Sequence, residues 1–227
     1  MGREWGTGHD WAIEALQGKP AATDRPNLTS PNHSFTLDLV VGFEHRTDAE
    51  QFLTAFQERL AKFGLEVHPA KTRLIEFGRF AVQNRKQRGA GKPDTFNFLG
   101  FTHYCGRRRK DGTFIVGRKT IRKRMVAKLR VIQAELRDRM HDPAASVGEW
   151  VQKVVLGYYR YHAVPGNLPQ LRIFSQRLRR RWYHILCRRS QKALPWDRLV
   201  RILNRWIPEP RILHPYPTQR FFAIHPR

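Results

Sequence analysis

Apolar positions first gather over residues 35–43, where the β-branched run FTLDLVVGF predicts a buried strand. A helix follows it. Thr47 and Glu50 have the Thr-x-x-Glu spacing of a capping box with Asp48 in the first turn, and Phe52, Leu53, Phe56, Leu60 and Phe63 recur at helical spacing until Gly64. Residues 65–67 and 73–77 read as extended pieces separated by Pro69, giving a strand, helix, strand order. Residues 78–95 are basic, contain glycine and carry almost no apolar pattern, which predicts an exposed loop, long for a compact domain. Residues 96–104 and 113–116 then alternate as the two arms of a hairpin across 106–112, whose tip holds Arg107, Arg108, Arg109 and Lys110.

Beyond Arg118 the period becomes helical. Ile121, Met125, Leu129, Ile132, Leu136 and Met140 form one apolar stripe, while Arg122, Lys123, Arg124, Lys128 and Arg130 crowd the start of the same segment. Trp150, Val151, Val154, Val155, Tyr158 and Tyr159 predict a second helix, stopped at Pro165-Gly166-Asn167. A third runs from about Leu168 through Leu171, Phe174, Leu178, Trp182 and Ile185, and Trp196, Leu199, Leu203 and Trp206 predict a shorter fourth before a proline-rich tail from Pro208. Residues 1–33, with Pro20, Pro26 and Pro31, read as irregular chain with room for a short helix over 11–16. The fold class expected is α+β: strands with one helix over 34–118, a helical bundle over 119–207 and a tail over 208–227.

Charge changes the picture most. The 227 residues hold 42 Lys and Arg against 19 Asp and Glu, a net +23, and residues 1–33 contribute none of that excess. A folded domain so unbalanced repels itself, and a polyanion that releases counterions on binding is the usual compensation. With 41% hydrophobic and 11% aromatic residues the chain has material for a core, unlike a disordered basic tail. Cys105 and Cys187 have neither CxxC spacing nor a Cys/His array, so structural zinc and a disulfide framework are not expected. No apolar run approaches the roughly 20 residues of a membrane span, and the expectation is a cytoplasmic, bacterial protein without a membrane partner.

Five segments then carry a resemblance: DLVVGF from Asp38, GLEVHPAKT from Gly64, FNFLGF from Phe96, GYYRYHAVPGN from Gly157 and RILHPYP from Arg211. In this order and at these separations the chain from Asp38 onward resembles the second half of group II intron-encoded reverse transcriptase/maturases. The resemblance implies the later part of a polymerase palm, followed by a helical thumb that holds RNA or an RNA–DNA duplex, group II intron RNA among its ligands. It implies that Lys71 lies near the incoming triphosphate as proton donor, and that Phe98, Leu99, Gly100 and Phe101 form a primer grip. It also implies Mg²⁺ in the family.

The departure is at the catalytic motif. Where the family has Tyr-Ala-Asp-Asp, this chain has Phe35-Thr36-Leu37-Asp38. Two-metal nucleotidyl transfer needs several carboxylates held together, and Leu37 offers no oxygen. Asp38 remains as the candidate catalytic residue and metal ligand, although a lone carboxylate beside a strand is more often a turn or cap residue. The family's fingers and first palm aspartate should lie upstream, where only some 34 unlike residues stand. Mg²⁺ is therefore not expected to be held stably, polymerisation by the chain alone is not expected, and palm strands without their partners should expose an unpaired edge.

The residues expected to contact phosphates are Arg122, Lys123, Arg124, Lys128, Arg177, Arg180, Arg181 and Arg188. The run from Arg177 to Lys192 has no acidic residue among its cations, unlike an ordinary solvated helix face. Tyr158, Tyr159, Tyr161 and Trp182 read as packing residues, with stacking on bases the lesser alternative. His103, His162 and His214 have no metal-site spacing. Two further readings stay open: half of a split polymerase completed by another polypeptide, and a remnant without function.

Overall fold

The computed structural model describes residues 11–15, 18–20, 39–190 and 195–217, with 219 and 223. They form a mixed α+β chain that divides into two compact units. The first comprises residues 1–99 and 103–117, the second 100–102 and 118–227.

In the first unit, strand β1 (Trp11–Ala15) lies between β3 (Leu39–Phe43) and β5 (Arg73–Glu76), antiparallel to both. Trp11 is in register with Phe43 on one side and with Glu76 on the other. A second pair joins β2 (Gly18–Pro20) to β4 (Leu65–Val67). The segment expected to be irregular, or helical over 11–16, thus supplies two strands. Its alternation of Trp11, Ile13 and Ala15 with Ala12 and Glu14 has the period of a strand, but at five residues is too short to be told from one turn of helix. β1 fills the space between β3 and β5, and these two remain the outer strands of the sheet, each with one edge that no described strand pairs, as expected.

Helix α1 (Arg46–Ala61) buries Ala49 among Leu39, Phe43, Phe52, Leu53, Phe56, Val67 and Leu74. Val40 and Ile75, one residue out of phase with Leu39 and Leu74, pack instead with Phe77, Phe96, Phe98 and Cys105, as the two-residue period of a strand dictates. The capping box does not form. The helix starts at Arg46 with His45 as N-cap, Arg46 Nε draws the Glu50 carboxylate to 2.7 Å, and Thr47 turns to Asp48. Gly64 at φ +66 ends the segment as expected.

Residues 78–95 are not loop throughout. Ala81–Gln87 form helix α2, which buries only Ala81 and so leaves no apolar period to read. Ion pairs from Arg85 to Asp94 (2.8 Å) and from Arg88 to the buried Glu76 hold it. Strands β6 (Phe96–Phe98), β7 (Phe101–Arg107) and β8 (Phe114–Thr120) form a third sheet in that order. The expected arm over 96–104 breaks at Leu99 (φ 45) and Gly100 (φ 81), two successive left-handed residues that make a tight turn of the I′ kind. The β7–β8 loop is closed by Asp111, whose carboxylate accepts from the amide and hydroxyl of Thr113.

The second unit is built on α3 (Arg122–Asp138), α4 (Ala144–His162), α5 (Leu168–Ser190) and α6 (Trp196–Trp206). Its core holds Met125, Leu129, Ile132 and Leu136 of α3, Val151, Val155 and Tyr159 of α4, Phe174, Leu178 and Trp182 of α5, and Leu199 and Leu203 of α6. The stripes read from the sequence fall on the buried faces except at Trp196, which opens α6 and is exposed. Close approach of α4 and α6 depends on Gly148, where a Cβ would come within 2.4 Å of the Trp206 ring. The segment after Pro208 is tied back to the end of α4: the Leu213 and His214 amides both donate to the Ala163 carbonyl, at 3.0 and 3.2 Å, and Tyr159 Oη donates to the Pro208 carbonyl.

Candidate nucleic-acid interface

The positive charge is concentrated in one unit. Residues 118–227 carry 25 Lys and Arg against six Asp and Glu, so +19 of the net +23 lies there. Helix α5 contains seven arginines and no acidic residue. Helix α3 begins with Arg122, Lys123 and Arg124, has no acidic residue in its first turn, and its N-cap Ile121 makes no side-chain cap. Cations there oppose the helix dipole, by a few tenths to about 1 kcal/mol each, and leave the first amides available to an anion. Arg122, Lys123, Arg124, Lys128, Arg180 and Arg188 are exposed and make no ion pair among the described residues.

Two clefts sort these side chains. One, of about 430 Å³, brings Arg122 of α3 and Arg177 of α5 together with Lys119 and the Thr102 and Thr120 side chains. The other, of about 550 Å³, brings Arg124 and Lys128 of α3 together with Lys153, Tyr161 and His162 of α4 and with Gly100. Met125 underlies both. One helical turn separates Arg124 from Lys128, so both project to the same side of α3.

Other candidates have different employment. Arg181 Nε donates to Gln133 Oε1 at 3.0 Å and its Nη1 to the Arg177 carbonyl at 3.2 Å. Burial lowers its basicity, and the neighbouring charges of Arg177 and Arg130 lower it further. Arg179, in the same cationic run, holds the end of α6 through the Ile207 carbonyl (2.6 Å) and Asn204 (2.8 Å), and Arg189 holds the Asp142 carbonyl.

Asp38, the candidate catalytic and metal-binding carboxylate, lies outside the described residues, as does Leu37. Among the described residues no group of three or more His, Cys, Asp and Glu side chains could hold a metal ion. Lys71 is exposed at the end of a 3₁₀ turn, Pro69–Lys71. Lys71, Phe98 and Leu99 belong to the first unit; Gly100, Phe101 and all the Arg and Lys phosphate candidates belong to the second. Phe98 packs against the Ile75–Phe77–Phe96 cluster, Leu99 is exposed, and Phe101 stacks on Tyr161 at 5.8 Å and 16°.

Of the four aromatics read as packing residues, Tyr158, Tyr159 and Trp182 are buried but Tyr161 is 52% exposed. Tyr158 lies between His162 (4.1 Å) and Phe174 (3.8 Å). Burial pushes its phenol up to about 12; the Thr120 hydroxyl, which opposes the shift, stands beside it without a hydrogen bond of ordinary geometry. Burial also holds the His162 imidazole below its ordinary range, against a smaller raising effect of the Tyr158 carbonyl. Lys153 is a cleft residue that the sequence reading passes over, although Lys153, Gly157 and Tyr161 follow at intervals of four and therefore share a helix face.

Compared with known proteins, the chain matches no family model and no curated protein. Among the described residues no helix is long and apolar enough to cross a membrane.

Proposed function

We propose that this chain binds RNA or an RNA–DNA duplex through its helical unit, as the palm-and-thumb portion of a group II intron-type reverse transcriptase/maturase, and does not polymerise DNA by itself. The observation that carries the binding is the +19 charge of residues 118–227, mounted on a packed four-helix core, with cations of α3 and α5 exposed and in no ion pair among the described residues. A structural role would have mixed the charges, as α1 does with Arg46 and Glu50. Under this reading the clefts at α3 seat phosphates, and the family likeness in sequence makes structured intron RNA the first ligand to try. Leu37 in place of a catalytic aspartate is the reason for expecting no extension and no stable Mg²⁺ site.

The test is binding of the full chain to a structured RNA, an RNA–DNA duplex and double-stranded DNA across a salt series, with primer extension in the same tubes. Tight, salt-sensitive binding to the RNA-containing ligands without extension is expected. Extension by the chain alone would overturn the catalytic half of the reading, and absence of binding would overturn the whole.

A further inference from the structure

The cleft at Arg124, Lys128 and Lys153 differs from the one at Arg122 and Arg177 in holding an aromatic side chain. Three exposed cations from two helices converge on about 550 Å³, inside the roughly 300–1,000 Å³ range of small-ligand clefts, and among the described residues no carboxylate lines it. Tyr161, 52% exposed, stands at its wall with the buried Phe101 ring stacked behind at 5.8 Å and 16°. That backing holds the tyrosine plane in place. Arg124 Nη1 and Tyr161 Cε1 each lie 3.6 Å from the point a Cβ of Gly100 would occupy, so charge and ring meet over this residue.

A duplex presents phosphates and hides its base faces, so the cations alone would suffice for it. A backed, exposed ring beside them matches a nucleotide out of its stack, which offers a base face and a phosphate together. We infer that this cleft captures an unpaired nucleotide of an RNA strand, its base stacked on Tyr161 and its phosphates held by Arg124, Lys128 and Lys153. The inference rests on the nucleic-acid reading above and adds a single-strand site to it.

The experiment uses the full chain, a single-stranded oligoribonucleotide containing the fluorescent base 2-aminopurine, and a blunt RNA duplex of equal length. Native protein should quench the 2-aminopurine. Tyr161→Ala should abolish the quenching and weaken single-strand binding by roughly 5- to 150-fold, the range for one base stacked on an aromatic ring, with less than about a twofold change on the duplex. Tyr161→Phe should keep both, and Lys153→Gln, an exposed change, should weaken the single strand more than the duplex. The inference is overturned if Tyr161→Ala weakens both ligands equally or weakens neither. Failure of the native protein to bind either ligand would overturn the broader reading with it.

Discussion

Asn167 joins three parts of the second unit from a fully buried position. Its Oδ1 accepts from the Thr120 amide (2.9 Å), and its Nδ2 donates to the Thr120 hydroxyl and the His162 carbonyl, each at 2.8 Å. Asn167→Ala would leave those groups unsatisfied without water, and should cost about 2–4 kcal/mol in chemical denaturation. A loss below about 0.5 kcal/mol would contradict the account. In sequence the residue reads only as the end of the stop Pro165-Gly166-Asn167; its pairing with Thr120, far back along the chain, is a property of the fold.

His162 gives the unit a pH dependence. Its folded-state pKa lies below the ordinary 6.5 because burial penalises the imidazolium, so the unfolded chain binds the proton more readily. That contribution to stability is fully present above about pH 6.5 and is lost as pH falls through the lowered folded value. His162→Phe keeps an aromatic ring against Tyr158 and Phe101, and should flatten the fall in denaturation midpoint between about pH 7.5 and about pH 5. An unchanged slope would place the effect on other groups.

At the scale of elements, the approach of α4 to α6 depends on an absent side chain. Gly148→Ala would drive a methyl into the Trp206 ring, and overpacking of that kind costs roughly 1–3 kcal/mol. Thermal unfolding of the variant measures it, and an unchanged midpoint would mean the helices part freely. The long helices are legible in the sequence because each offers a stripe of four or more apolar residues at helical spacing. Strand β1 and helix α2 are not: one is only five residues long, the other buries a single alanine. The capping box fails because Glu50 has a nearer cation than the helix amides.

Charge is legible as an amount, but its division among helices is not. Arg179 and Arg181 share a cationic run with Arg177 and Arg180, yet the fold turns the first two to Ile207 and Gln133. Arg179→Met should therefore destabilise the end of α6 by about 1 kcal/mol and change RNA affinity little, whereas Arg124→Gln with Lys128→Gln should weaken RNA binding with the denaturation midpoint kept. The reverse pattern in these two variants would exchange their assigned roles.

Over the whole molecule, the polar groups around Asn167, Glu76 and Ala163 are satisfied internally, while most of the excess positive charge lies in one unit and faces solvent. Such a surface is stable only at some electrostatic cost, which a polyanion removes by exchanging its own counterions for the side chains. The most direct test is the salt dependence of binding between the full chain and a structured RNA. The expected result is a linear fall of log affinity with log salt, corresponding to several phosphates, with the slope reduced by about 1 for each phosphate that the Arg124→Gln, Lys128→Gln variant no longer neutralises. An affinity independent of salt, or a slope unmoved by that variant, would contradict it.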